Sequence, residues 1–373
     1  MSMCLAKKKR THRLNSMTDP SPEEPSGGKS PLPVAVVDDA WFDRHRSAEL
    51  HPERPERLIA ARAGLGRVLA PAERFDVPVR PVTEAEATAV HTPAYLRHLQ
   101  KELRRGWGHL DADTYFCPET AEAAWLAAGG GVALTQAIMD GHARRGVALL
   151  RPPGHHASSA RSMGFCLLNN IAIAAAAALQ RGADRVAIVD WDVHHGNGTQ
   201  EIFFEDKRVL FVSIHQSPLY PGTGTPEEIG GGAAEGYTVN VPLPPGAGPQ
   251  VYGVAFDEIV LPVLRAFQAD LVLVSAGLDA HWRDPLAQLQ LDADCFGAMT
   301  AALTRHVDEL GHGRLALFLE GGYDLEAIET SFAQIAKALR DGGPELPTGP
   351  IGRAERGMLD RTRRALGIHW PLG

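Results

Sequence analysis

The segment Asp190-Trp191-Asp192-Val193-His194-His195 carries two carboxylates and two imidazoles in six residues. Side chains of these types, this close together, can hold a divalent metal ion. In an extended segment, positions 190, 192 and 194 share one face. Where such a strand twists out at its end, Asp192 and His194 can reach one ion together. Asp279, on a separate segment, can supply a third ligand. Three mixed Asp/His ligands leave coordination positions open, the arrangement that catalytic zinc uses. Carboxylates beside an imidazole also suit Fe(II) or Mn(II), so ligand type alone does not set the metal.

A second group can move protons. His155 and His156 follow Arg151-Pro152-Pro153-Gly154, an extended approach that ends in a sharp turn. Two adjacent imidazoles on a constrained turn can both face a cleft. Each then needs a partner at its far nitrogen to hold the tautomer. Asp190 and Asn197 are candidates. A carboxylate raises an imidazole pKa far more than an amide does, so the two rings need not be equivalent. One can act as base and the other as acid or electrostatic stabiliser. Glu320-Gly321-Gly322-Tyr323 adds a phenol on a tight turn, able to point back over a metal and steady an oxyanion. Gly164-Phe165-Cys166 and Tyr220-Pro221-Gly222 each offer an aromatic ring that can line a narrow slot for an alkyl chain.

These residues need a frame, and the apolar pattern supplies one. Val147–Leu150, Arg185–Val189, Val209–Ile214, Leu271–Ser275 and Leu315–Leu319 read as buried strands, rich in Val, Ile and Leu. Thr120–Met139, Asn170–Gln180, Tyr252–Phe267 and Cys295–Leu310 read as helices between them, with Pro262 expected to kink the third. Alternation of this kind implies an α/β fold with a parallel sheet covered on both faces. RPPGHHA, DWDVHHGNG, HQSPLYPGTG, AGLDAHWRDP and EGGYD each directly follow one of the five strands. Ligands in such sheets bind outside the carboxyl ends of the strands, so five strand ends converge on one edge.

The totals bound the rest. The chain has 373 residues, 44% of them hydrophobic and 22% charged, enough for a sizeable core in one large domain. A formal net charge of −8 argues against a dedicated nucleic-acid partner. No apolar run is long enough to cross a membrane. Cys4, Cys117, Cys166 and Cys295 are widely spaced, which points to a reduced, cytoplasmic setting rather than a disulfide framework. Residues 1–33, rich in Ser, Pro, Glu, Gly and Lys, read as a disordered leader ahead of a single catalytic domain over 34–373. Lys7–Arg10 can be read as a nuclear address, but reads better as part of that solvated tail. The segment after 341 suggests no role, and nothing in the sequence sets the oligomeric state.

HPERPERL at 51–58, HTPAYL at 91–96, RPPGHHA, GFC, DWDVHHGNGTQ, PGTG, SAGLDAH with a following DPL, and EGGY occur in this order. The ordered set resembles the histone deacetylase and acetylpolyamine amidohydrolase superfamily over residues 34–340. Asn197, where a carboxylate also occurs in the family, is similar to the class II branch. The resemblance implies an arginase-like three-layer α/β/α fold with a central, mostly parallel eight-stranded sheet. It implies zinc, with Fe2+ as the alternative, on Asp192, His194 and Asp279. His155, His156 and Tyr323 would be catalytic, with Asp190 and Asn197 orienting the two rings. Phe165 and Tyr220 would wall an acyl-lysine tunnel, and the Gly164 carbonyl would accept from the substrate N–H. The resemblance also implies structural K+ at two places. Asp190, Asp192, His194, Ser213 and Ile214 match one; Phe203, Asp206, Val209 and Tyr237 match the other.

The implied activity is zinc-dependent deacetylation of lysine side chains in a protein or peptide. An acylated polyamine is the rival substrate. A polyamine-selective relative would carry Glu where this chain has Leu286, which favours acyl-lysine. Asp111 and Asp113, read as preceding a helix near the rim, can be helix-terminus carboxylates, substrate backbone acceptors or polyamine contacts. A non-enzymatic acyl-lysine reader is the rival from another class. Loss of the tyrosine or of a ligand would mark it, and every such position is filled here.

Overall fold

The computed structural model describes residues 32–372. The expected leader lies outside them except for Leu32 and Pro33. Eight strands form one sheet: β1 (Val34–Val37), β2 (Arg74–Asp76), β3 (Arg145–Ala148), β4 (Val186–Asp190), β5 (Val209–Gln216), β6 (Thr238–Leu243), β7 (Leu271–Ala276) and β8 (Leu315–Leu319). Their order across the sheet is β2-β1-β3-β8-β7-β4-β5-β6. Every neighbouring pair is parallel. All residues of β4 to β8 are buried. That explains why β4, β5, β7 and β8 read as largely continuous apolar runs instead of alternating ones.

Four of the five expected strands differ at their ends, β5 and β7 running on to Gln216 and Ala276. The strand expected at Val147–Leu150 runs from Arg145 to Ala148. Leu149 makes one further backbone bond to Val37, and Pro152, with no N–H, soon follows. β4 extends to Asp190, which pairs in register with Ser213 on one side and Ser275 on the other. β6 was not expected because Pro242 interrupts its pattern. It lies at the sheet edge, where a proline costs least.

Helices cover both faces of the sheet. Thr120–Met139 and Asn170–Gln180 pack together on one side, while Leu325–Asp341 lies between Glu56–Gly66 and Ala293–Glu309 on the other. Close approach of the first helix depends on Gly129, Gly130 and Gly131. A Cβ on Gly129 would lie 1.9 Å from the Arg80 carbonyl, and one on Gly131 would lie 2.6 Å from the Phe318 ring. Around Pro262 the chain stays helical from Pro249 to Phe267, but Phe256–Val260 forms a wider π turn. The bulge absorbs the break in the ladder that the proline imposes. No helix among the described residues is long and apolar enough to cross a membrane.

The C-terminal segment has a structural task that its composition did not suggest. Helix Arg353–Leu366 lies along β6, and the buried Thr362 hydroxyl donates to the Asn240 carbonyl at 2.8 Å. Trp370 Nε1 donates to the Gly236 carbonyl at 2.6 Å, and its ring packs edge-on against Tyr237 and Phe267. This cover protects an edge strand that would otherwise offer unpaired backbone groups. We expect Trp370→Ala to cost roughly 2 kcal/mol, below the ~3–5 kcal/mol of a fully buried tryptophan. A denaturant midpoint unchanged from the parent would refute that clamp.

Candidate functional site

The loops after β3, β8, β7, β4 and β5 leave five adjacent strands at their carboxyl ends and meet over one edge of the sheet. After Asp190 the chain leaves the ladder. The Asp190 side chain meets the His155 ring, while Asp192 and His194 gather with Asp279. Asp192, His194 and Asp279 each present a ligand atom, and these atoms lie within 4.8 Å of one another. His194 Nδ1 stands 3.0 Å from Asp192 Oδ1 and 3.2 Å from Asp279 Oδ2. Backbone N–H groups fix both carboxylates: Gly321 donates to Asp192 Oδ2 at 2.8 Å, and Val193 donates to Asp279 Oδ1 at 2.9 Å.

The group fits a metal. Asp279 Oδ2 is fully buried and makes no well-formed hydrogen bond among the described residues, with the His194 ring 3.2 Å away. Burial and the nearby Asp192 carboxylate both push the Asp279 carboxyl upward. Two buried like charges with an unfilled acceptor between them call for a cation. Gly321 keeps the space clear, since a Cβ there would stand 2.0 Å from Asp279 Oδ2.

His155 and His156 lie beside this group with ring centroids 4.0 Å apart. Their partners are those expected from the sequence. His155 Nδ1 meets Asp190 Oδ2 at 2.9 Å, and His156 Nδ1 meets Asn197 Oδ1 at 2.7 Å. Since both partners accept, each ring carries its proton on Nδ1 when neutral. Burial disfavours the charged form of both. For His155 the Asp190 and Asp192 carboxylates outweigh burial, and its pKa rises to about 10. His156 has no anionic partner of that kind. Burial and the positive charges on His155 and His194 push it well below the usual imidazole range. The two rings are therefore pulled in opposite directions.

Tyr323, His155, His156 and His194 all line one cavity of about 290 Å³. Gly164, Phe165, Tyr220, Leu286 and Asp113 line it too. The rings meet edge-on: Phe165 against Tyr323 at 6.0 Å between centroids, Tyr220 against His156 at 5.1 Å. Phe165 has φ 66°, a left-handed backbone that a bulky residue rarely adopts. Such strain costs on the order of 1–3 kcal/mol and is typical of functional loops.

Asp111 and Asp113 require a correction. They do not lead into a helix. They sit in the turn of a small hairpin between Gly108–His109 and Tyr115–Phe116. Asp111 Oδ1 accepts from the N–H groups of Asp113 and Thr114, which leaves the Asp113 side chain at the cavity. Of the residues matched to K+, several fall on β5 and in the turns that precede it. Ser213 and Ile214 lie on β5, with Ser213 paired to Asp190. Phe203, Asp206 and Val209 form successive turns, while the Tyr237 carbonyl accepts from Phe211.

Several neighbours were not expected. Arg57 Nε donates to the Gly322 carbonyl at 2.6 Å, and its guanidinium lies over the Tyr323 ring at 5.0 Å. Arg57 and Arg151 share the buried Glu53. Asp284 Oδ2 accepts from the Tyr323 N–H at 2.7 Å. Pro153, Cys166, Leu219 and Gly321 complete the cavity wall. HPERPERL and EGGYD contained some of these residues, but no local spacing pairs them.

Comparison with known proteins agrees with this geometry. Residues 51–339 match the histone deacetylase domain. A probable deacetylase of Archaeoglobus fulgidus is 43% identical over 300 residues, covering 79% of this chain and 82% of the relative. Histone deacetylase 15 of Arabidopsis thaliana is 42% identical, covering 80% of this chain and 54% of that one. The human polyamine deacetylase HDAC10 is 38% identical, with 86% of this chain and 50% of that one covered. The chain thus spans about half the length of the last two. The crystal structure of the HDA15 HD domain superposes with a TM-score of 0.85 at 38% identity, covering 91% of this chain and 97% of that one. By sequence, fold and the residues at its sheet edge, the chain belongs to the histone deacetylase and acetylpolyamine amidohydrolase superfamily.

Proposed function

We propose that this protein is a zinc-dependent hydrolase that removes acetyl or related acyl groups from lysine side chains, releasing the carboxylate and the free amine. One observation carries the reading. A group of three metal donors stands beside one aromatic-walled cavity lined by a phenol and by two imidazoles, one held by a carboxylate and the other by an amide. A zinc ion held by Asp192, His194 and Asp279 would supply Lewis acidity for an amide carbonyl and would acidify a water. His156 holds its Nδ1 proton on Asn197, so its other nitrogen is free to take the proton of the attacking water. The His155 imidazolium, fixed on Asp190, steadies negative charge and can serve the leaving amine. Tyr323 donates to the developing oxyanion. Phe165 and Tyr220 line the path of the alkyl chain, and the Gly164 carbonyl accepts from the substrate N–H. Asp113 accepts from the substrate backbone. K+ at the two matched places would be structural. We take residues 34–373 as one catalytic domain acting in the cytoplasm.

The second reading is an acylated polyamine, favoured by the Asp113 carboxylate at the cavity. One neighbour opposes it: Leu286 lines the cavity where a carboxylate would select a polycation.

The deciding experiment offers zinc-loaded protein acetyl-lysine peptides and N-acetylated polyamines side by side, with a hydroxamate control. Hydroxamate-sensitive turnover of the peptides supports the lysine reading. Preference for polyamines would replace it, and turnover of neither would remove both. We further expect Leu286→Glu to raise the polyamine-to-peptide ratio of kcat/KM about fivefold, the effect of a ~1 kcal/mol solvent-touched ion pair. An unchanged ratio would remove Leu286 as a selector.

A further inference from the structure

Glu320 is a buried carboxylate, 1% exposed, for which the proposed chemistry has no use. Burial pushes its carboxyl up to about 7, against the pull of the His155 charge and two backbone N–H groups. Holding such a group in the interior is costly unless its contacts matter. Those contacts are specific. Oε2 accepts from two consecutive backbone N–H groups, Gly154 at 2.7 Å and His155 at 3.1 Å. Oε1 has the Ser275 hydroxyl at 3.4 Å.

The rest of the loop is equally committed. The Glu320 carbonyl accepts from Arg57, the Gly321 N–H donates to Asp192, and the Gly322 carbonyl accepts from Arg57. The chain that ends in Tyr323 is thus tied to the metal loop through its backbone and to the histidine turn through one side chain. On the other side, the His155 carbonyl accepts from Gly198 and Thr199 at 3.1 Å each. With Asp190 on the ring, His155 is held at its N–H, its carbonyl and its side chain. Glu320 provides the first of these three and joins it to the loop of Tyr323.

We propose that Glu320 is a positioning residue: through a single oxygen it locks the Gly154–His155 backbone to the Tyr323 loop, so that the base pair and the oxyanion donor form one rigid unit. The inference rests on the reaction proposed above. Oxygen placement, and not negative charge, is what the role requires, since Asp190 already supplies the carboxylate in direct contact with the His155 ring.

Two substitutions separate these effects. Glu320→Gln removes the charge but keeps an oxygen for both N–H groups, and its amide can donate to Ser275. Glu320→Asp keeps the charge but withdraws the oxygen by about 1.5 Å, one carbon–carbon bond. Turnover, KM, hydroxamate affinity and thermal midpoint are measured for parent and variants. Glu320→Asp is expected to lose about tenfold or more in kcat with KM and hydroxamate affinity held, as displaced catalytic groups do. Glu320→Gln is expected to retain kcat to within about threefold, since a neutral acceptor replaces the charged one at modest cost. The reverse order, or equal losses, would assign the effect to charge and overturn the inference. So would parent-like kcat in Glu320→Asp. If Glu320→Asp fails to fold, the Gln variant decides alone, and a loss beyond about tenfold there overturns the proposal. Turnover by the parent tests the reaction itself, so failure of that reading is distinguishable from failure of this one.

Discussion

Replacing Tyr323 with Phe is expected to lower kcat by about two to three orders of magnitude, the usual loss when one oxyanion donor is removed. The phenol lines the cavity beside His155, His156 and His194. Its backbone N–H is held by Asp284, and its ring lies under Arg57. These contacts do not involve the hydroxyl, so Phe should keep the same ring position. Burial, and then the Asp279 charge, push the phenol well above its usual range, so it is a neutral donor at any working pH. Metal content and hydroxamate binding should therefore change little while turnover collapses. Metal content is read on the purified variant and turnover on the better substrate class. Turnover within threefold of the parent would remove Tyr323 from the chemistry.

Asp279→Asn is expected to reduce bound zinc to below about a tenth of the parent level, since removal of even an outer partner of a metal ligand costs ~10–100-fold in affinity. The amide can still accept from Val193 through one oxygen, so the loop should hold. Stability gives an independent signature. In the metal-free parent, Asp192 and Asp279 are two carboxylates, both 0% exposed, with like charges close together. The substituted amide removes one of those charges. The variant should thus melt above the chelated parent and below the zinc-loaded parent, with a midpoint that chelator does not move. Zinc at 100 times its dissociation constant would add about 2.7 kcal/mol to the parent alone. A variant midpoint that still falls on chelation would place the metal elsewhere.

Much of this arrangement was legible before the fold. The helices Thr120–Met139 and Asn170–Gln180 match the expected ranges residue for residue. Their long apolar patterns leave little choice of period. The strands from β4 onward that lie inside the sheet are legible because burial on both faces makes their sequences mostly apolar. β2 was not, because it has three residues, none buried. The sequence offers Asp190 and Asn197 as partners for the two histidines without pairing them; the fold sets Asp190 against His155 and Asn197 against His156.

The hairpin that carries Asp113 was misread. Its turn is stabilised by an Asp111 side chain bonding its own backbone, and the same residues can begin a helix. Local chemistry alone does not separate the two outcomes. Arg57 and Gly322 are 265 residues apart, and Gly154 and Glu320 are 166 apart.

The sequence by itself determined which residues could do chemistry and that each follows a strand, because side-chain type and strand period are local properties. Only the tertiary structure decided which carboxylate serves which backbone turn. It also decided that Arg57 backs Tyr323 and that the C-terminal helix closes the edge at β6. Those contacts depend on β8 inserting between β3 and β7, a strand order set by the packing of the whole sheet and written in no single segment.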